Sequence, residues 1–211
     1  MISAAFFLMP IAVLMAQAPG SSGAAQHSFS SDLGFSYDLP SEWEVLDARA
    51  NLEKAKQQAA PNVKTEEGKK QLACMQMGMT ARHSGSVIVN YALPFDCLGR
   101  KASDEDLPGV GEDASQGVRQ GFDVGEPIVG TYSLGSHNLW IERVKGTPKG
   151  RAGVSYTIEI ACALLKKAAV CWMAMAADDE ALQTFEHGAV SLDGDTPVAL
   201  VPATAFDKKP S

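Results

Sequence analysis

The sequence predicts an α+β domain: an antiparallel β-sheet built of hairpins, with helices packed on its faces. Three observations lead there. Short runs of alternating or continuous apolar residues recur along the chain, with Gly, Ser, Asn and Asp between them. Most such runs follow one another directly, as hairpin strands do, without a helix between each pair. Only three short stretches carry apolar residues at helical spacing.

In chain order, Gln26 to Ser30 reads as a short strand, and Gly34 to Leu39 alternates apolar and polar residues as a strand with one buried face. Pro40-Ser41-Glu42 turns the chain, and Trp43 to Leu46 is extended again. Asn51 is placed to cap a helix over residues 52–60, with Leu52, Ala55 and Ala59 on one face. Pro61 to Lys70 is polar and reads as a loop, after which Leu72 to Arg82 and Val87 to Leu93 form a first hairpin. Arg100 to Glu126 is rich in Gly, Asp and Pro, a long loop with a short helix near 112–120 marked by Ala114, Val118 and Phe122. A meander follows, Pro127 to Leu134 and His137 to Lys145 about the turn Gly135-Ser136. A second hairpin runs from Tyr156 to Ala176. Asp178-Asp179-Glu180 opens a helix with acidic residues at its N-terminus, where the helix dipole favours them, and Leu182 and Phe185 mark its buried face.

The ends are read differently. Residues 1–18 hold no charged side chain, are interrupted by Pro10 and close on Ala16-Gln17-Ala18, the small-x-small pattern of a signal peptidase site. They are read as a signal peptide, with an uncleaved anchor as the alternative. Residues 19–26 are a flexible linker, residues 27–195 the single domain, and residues 196–211 a C-terminal tail with a short strand and a frayed end. The expected location is periplasmic or secreted, with no membrane span after cleavage. Across the 211 residues, 18 Lys and Arg against 25 Asp and Glu leave a net charge of −7. That balance gives no general attraction to nucleic acid or to an anionic membrane.

Four cysteines in an exported chain suggest two disulfides, and four cysteines allow three connectivities. Register favours one of them. A hairpin centred on Lys166-Lys167 sets Cys162 directly opposite Cys171. A hairpin centred on Gly85-Ser86 does the same for Cys74 and Cys97, although Pro94 ends the regular ladder before Cys97. Cys74–Cys97 and Cys162–Cys171 are therefore expected, with free buried thiols as the alternative.

Gly34-Phe35 followed by Pro40-x-x-Trp43, the C-terminal hairpin from Tyr156 to Ala176, and the last helix leading into a strand at Val190-Ser191-Leu192 together resemble the PsbP-like family. Its members share an antiparallel sheet between helical layers, a PsbP-like α/β/α sandwich. Plant members are accessory subunits of the oxygen-evolving complex, and bacterial relatives include exported proteins. The resemblance implies a non-catalytic binding or accessory domain, with a cell-envelope protein as its partner, no cofactor and no enzymatic activity. The middle of the chain, with its cysteines, matches no member.

Two other readings rest on side chains. Met75, Met77 and Met79 alternate along a predicted strand, which sets three thioethers on one face, a soft donor set suited to Cu(I). Met173 and Met175 repeat the spacing. The alternative is that methionine fills an irregular core. An envelope hydrolase is the third function class, with His83-Ser84 and Ser136-His137 as the pairs that a Ser-His-Asp site would draw on, among the histidines at 27, 83, 137 and 187. Trp43, Trp140 and Trp172 are candidates for a ligand groove, and Asp104-Glu105-Asp106 with Asp113 is an acidic loop without EF-hand spacing.

Overall fold

The computed structural model describes residues 28–99, 101–151 and 153–206. The expected signal peptide, the linker and His27 lie outside them. The domain is an α+β fold, as its sequence predicts. Its centre is an eight-stranded antiparallel sheet in the order β3-β4-β5-β10-β9-β8, with β7 and β6 one after the other along the outer edge of β8. These strands are β3 (Glu44–Val45), β4 (Gln76–His83), β5 (Ser86–Pro94), β6 (Phe122–Val124), β7 (Ile128–Leu134), β8 (His137–Pro148), β9 (Tyr156–Leu164) and β10 (Ala168–Ala176). A smaller antiparallel sheet pairs β1 (Ser28–Ser31), β2 (Phe35–Asp38), β11 (Ala189–Leu192) and β12 (Val198–Ala199) in the order β1-β2-β11-β12.

The middle strands β5, β9 and β10 are apolar on both faces because both faces are covered. On one face lie the helices α1 (Ala48–Ala59), α2 (Glu66–Cys74), α3 (Phe95–Leu98) and α4 (Leu107–Gly121). Leu52, Leu107, Val110, Ala114 and Val118 pack there against Val89, Trp140, Ile158, Ile160 and Met173. On the other face lie the small sheet, the helix α5 (Asp179–His187) and the chain beyond β11. Phe35, Tyr37, Phe185, Val190, Leu200 and Val201 pack there against Ile88, Leu139, Ile141, Ala161 and Trp172.

Several boundaries differ from the sequence reading, each for a local reason. The first helix starts at Ala48, since Asp47 supplies the cap by accepting from the Ala50 N–H. The expected loop at 61–70 contains the start of α2, because Thr65 accepts from the Gly68 N–H and Glu66 and Glu67 occupy the first turn. α4 starts at Leu107, with Pro108 in its first turn and the Ser103–Asp106 capping box just before it. Its Gly111 gives close contact: a Cβ there would stand 2.1 Å from Cδ2 of Trp140. Residues 198–206, expected as a tail, belong to the fold. Leu200, Val201 and Ala205 are buried, and Tyr132 Oη donates to the Leu200 carbonyl at 2.6 Å.

Both disulfides join the pairs expected from register, Cys74 to Cys97 and Cys162 to Cys171. Only the second lies where that argument put it, since Cys171 and Cys162 are paired across β9 and β10. The first hairpin turns one position earlier, at Ser84-Gly85, where both residues have positive φ. Its ladder sets His83 against Ser86. Cys74 is instead the last residue of α2 and Cys97 belongs to α3, so this bridge ties two helices together.

Candidate functional site

The methionine triplet is not one donor set. Met75 is the C-cap of α2, outside the strand. Between Met77 and Met79 the register of β4 slips by one, with Met77 opposite Tyr91 and Met79 opposite Asn90. Gly78 is the extra residue of this β-bulge, and it reverses the side on which every later residue points. Met75 and Met77 therefore pack on the helical face and Met79 on the opposite one. The Met77 sulfur accepts a hydrogen bond from Thr80 Oγ1 at 2.9 Å. The expectation of three thioethers on one face is corrected by that bulge, and with it the Cu(I) site on Met75, Met77 and Met79.

The serine-histidine pairs are placed apart from one another. Ser136 donates to Asp195 Oδ2 from its backbone N–H and from its hydroxyl, both at 3.1 Å, and these bonds hold the Asp195 carboxyl below its ordinary value. The His137 ring lies 3.1 Å from the Leu164 carbonyl through Nδ1 and 3.4 Å from Asp193 Oδ2 through Nε2, the latter close but not aligned as a hydrogen bond. Ser136 and His137 thus serve different carboxylates of the same turn. His83 Nδ1 is 3.1 Å from the Glu42 carbonyl, and its ring sits 5.8 Å from that of Trp43. Trp140 faces α4, whereas Trp43 and Trp172 lie on the opposite face, so the three indoles form no common groove. Asp104 accepts from Asn138 Nδ2 at 3.0 Å, and Asp106 caps the short turn before α4. Among the described residues no cluster of three His, Cys, Asp or Glu side chains is arranged for a metal ion.

Two openings are formed by described residues. One, of about 420 Å³, lies at the β4–β5 turn and is lined by Glu42, Glu44, Arg82, His83 and Ser86. Its main charges already pair with each other, Arg82 Nε with Glu44 Oε2 at 2.8 Å. The other, of about 190 Å³, is more enclosed. Phe29 of β1, Leu39, Val45, Leu46, Gly78 and Met79 form it, where the small sheet meets β4 and the start of α1. Behind its Gly78 wall stands Asn90, wholly buried, whose Nδ2 donates to the Cys171 carbonyl at 3.2 Å while Oδ1 has no partner.

Two buried carboxylates flank the middle of the sheet, one on each face. Glu142 of β8 accepts from Ser115 Oγ at 2.6 Å and from Arg119 Nη2 at 3.2 Å, both residues of α4. Glu159 of β9 is fully buried beneath α5, opposite Arg143 in the ladder. Arg143 Nε donates to Glu159 Oε2 at 2.6 Å, its Nη2 donates to Glu186 of α5, and the Phe206 ring covers its guanidinium at 4.2 Å. Burial pushes the Glu159 carboxyl up to about 7, against the pull of Arg143, and the neighbouring Glu186 carboxylate adds to the rise.

Sequence reasoning singled out neither Asn90 nor Glu159. Each had one available signal, a lone polar residue inside an apolar run: Val87-Ile-Val-Asn90-Tyr-Ala-Leu and Tyr156-Thr-Ile-Glu159-Ile-Ala. No protein-family model and no curated protein matches this chain.

Proposed function

We propose that this chain is a non-catalytic binding domain of the cell envelope, built on a PsbP-like scaffold, which holds a small molecule in the recess between its two sheets. The recess carries the reading. It is preformed, concave and mostly apolar, with few polar groups near it, which is the general character of a small-ligand site. Its volume is a little above that of the engineered protein cavity of about 150 Å³ that takes up benzene. Export is supported by the apolar leader with its Ala16-Gln17-Ala18 ending and by the two disulfides. No helix among the described residues is long and apolar enough to cross a membrane. The scaffold reading is supported by a central antiparallel sheet with helices against both faces, and by the setting of the motif residues. Gly34 has positive φ and accepts from the Asp193 N–H at 2.6 Å, while Trp43 is buried beside His83.

Native mass spectrometry tests this on protein secreted from a bacterial host and kept unreduced. The expected spectrum shows the chain lacking four hydrogens, with one non-covalent adduct that is lost on denaturation. Repeated preparations that carry no adduct and bind no small aromatic probe would overturn the reading. A protein partner is the second reading, and β7 favours it. This outer strand carries no charge, and Ile128 and Val129 are exposed on it. Val129→Lys should then abolish crosslinking to an envelope protein without altering the adduct.

A further inference from the structure

Beyond β12 the chain runs from the end of α5 to β7 and β8 over residues 200–206, with no helix or strand of its own. The Leu200 and Val201 N–H groups donate to the carbonyls of Gly188 and Glu186, both at 2.9 Å. Tyr132 Oη donates to the Leu200 carbonyl, and the Phe206 ring lies over the Arg143 guanidinium. Ala205 approaches β7 so closely that a Cβ on Gly130 would stand 2.8 Å from its carbonyl oxygen.

Three of the residues held by this segment are the ones that face the Glu159 carboxyl. Arg143 of β8 donates to Glu159 Oε2 and to Glu186 of α5, and the Tyr132 hydroxyl of β7 lies within reach of the same charge. β10 sets Ala174 opposite Glu159 and adds no charge. Glu159 Oε1 is buried without a partner. One guanidinium therefore serves two carboxylates. With Glu159 protonated, Arg143 and Glu186 balance. With Glu159 ionised, one negative charge is left over in a place closed to water, which is costly. The segment above is the part best able to yield. Ala203 and Thr204 are exposed on it, and Phe206 and Arg143 are only half-buried, so Phe206 can lift without breaking a strand pair.

We propose that residues 200–206 are a pH-operated strap, closed over Arg143 while Glu159 is protonated and released when Glu159 ionises. Release lifts Phe206 from the guanidinium, admits water to the carboxylates and uncovers Tyr132 and Gly130 on β7. Because burial raises the Glu159 carboxyl to about 7, closure is complete in acid and is lost as pH rises through that value.

Hydrogen exchange of the disulfide-bonded protein, followed by NMR from pH 5 to pH 8 and corrected for intrinsic rates, tests this. The N–H groups of Leu200, Val201 and Ala205 should be less protected than those of β9 and β10 at every pH, as in a segment that opens by itself. Their protection should fall at least about tenfold between pH 5 and pH 7 and then level off. Glu159→Gln should abolish the fall. Glu186→Gln, a change at a half-buried site, leaves Arg143 to Glu159 alone and should move the fall to lower pH; it decides if the first variant fails to fold. Both variants keep His187, the exposed histidine beside Glu186, so a fall that persists unchanged in them would overturn the proposal. So would strap protection equal to that of β9 and β10, or a wild-type profile that does not change with pH.

Discussion

Glu159 makes the stability of this domain depend on pH, in a direction opposite to that of an ordinary surface carboxylate. Its value is about 7 in the fold and 4.5 in the open chain, chiefly because burial disfavours the charged form. Between those values the folded protein binds a proton that the unfolded chain has lost, so stability falls as pH rises. The contribution is complete below pH 4.5 and gone above 7. The gap amounts to about 2–3 kcal/mol between pH 5 and pH 8, a large part of a typical domain's stability. The groups facing Glu159 are Arg143 of β8, Glu186 of α5 and the hydroxyl of Tyr132 on β7. The perturbation to make is Glu159→Gln, which keeps an acceptor for Arg143 and removes the proton. Urea unfolding at intervals from pH 5 to pH 8, run on both proteins, cancels the titrations of groups remote from Glu159. The wild type should lose about 2–3 kcal/mol more than the variant across that range. Equal slopes would refute the argument, because the pH dependence would then come from groups other than Glu159.

Four further outcomes follow from packing and from the cross-links. Gly111→Ala should cost about 1–3 kcal/mol in urea unfolding, since its methyl would be driven into the Trp140 ring and α4 would have to lift from the sheet. Ser115→Ala removes the hydroxyl that donates to buried Glu142 and should cost about 1–3 kcal/mol, read as a lowered thermal midpoint. Replacing Cys162 and Cys171 together by Ala should cost about 3 kcal/mol, and replacing Cys74 and Cys97 slightly more, because the first pair closes a shorter loop, 9 residues apart against 23. Nonreducing peptide maps of the wild type should give those two linked pairs, and a peptide joining Cys74 to Cys162 would contradict the fold.

The C-terminal half was the more legible in sequence because its signals were local and uninterrupted. The β9–β10 hairpin has one centre and no bulge, so simple counting from Lys166-Lys167 set every pair, including Cys162 with Cys171 and Trp172 with Ala161. α5 announced itself through Asp178, whose carboxylate caps the Ala181 N–H, and through Phe185 on its inner side. β12 and the chain after it were harder, because short apolar pieces between prolines resemble a frayed end. Pairing with β11, the bond from Tyr132 Oη to the Leu200 carbonyl and burial against the core hold them in place.

The candidate site was hidden by a different effect, a single inserted residue. Counting by twos along Met75, Met77 and Met79 assumes an unbroken strand, and one bulge inverts all that follows. The cause is visible only in three dimensions. Gly78 leaves room for the Asn90 amide and the Phe29 ring, and any side chain there would meet both. The residue that defeats the copper reading is thus also one of those that line the recess. With a Cβ at position 78, the strand could not pass Asn90 so closely, and the buried oxygen would lie behind a side chain. The glycine between two methionines therefore carries more structural information than the methionines, because it sets the parity of β4 and lets the strand pass close to Asn90.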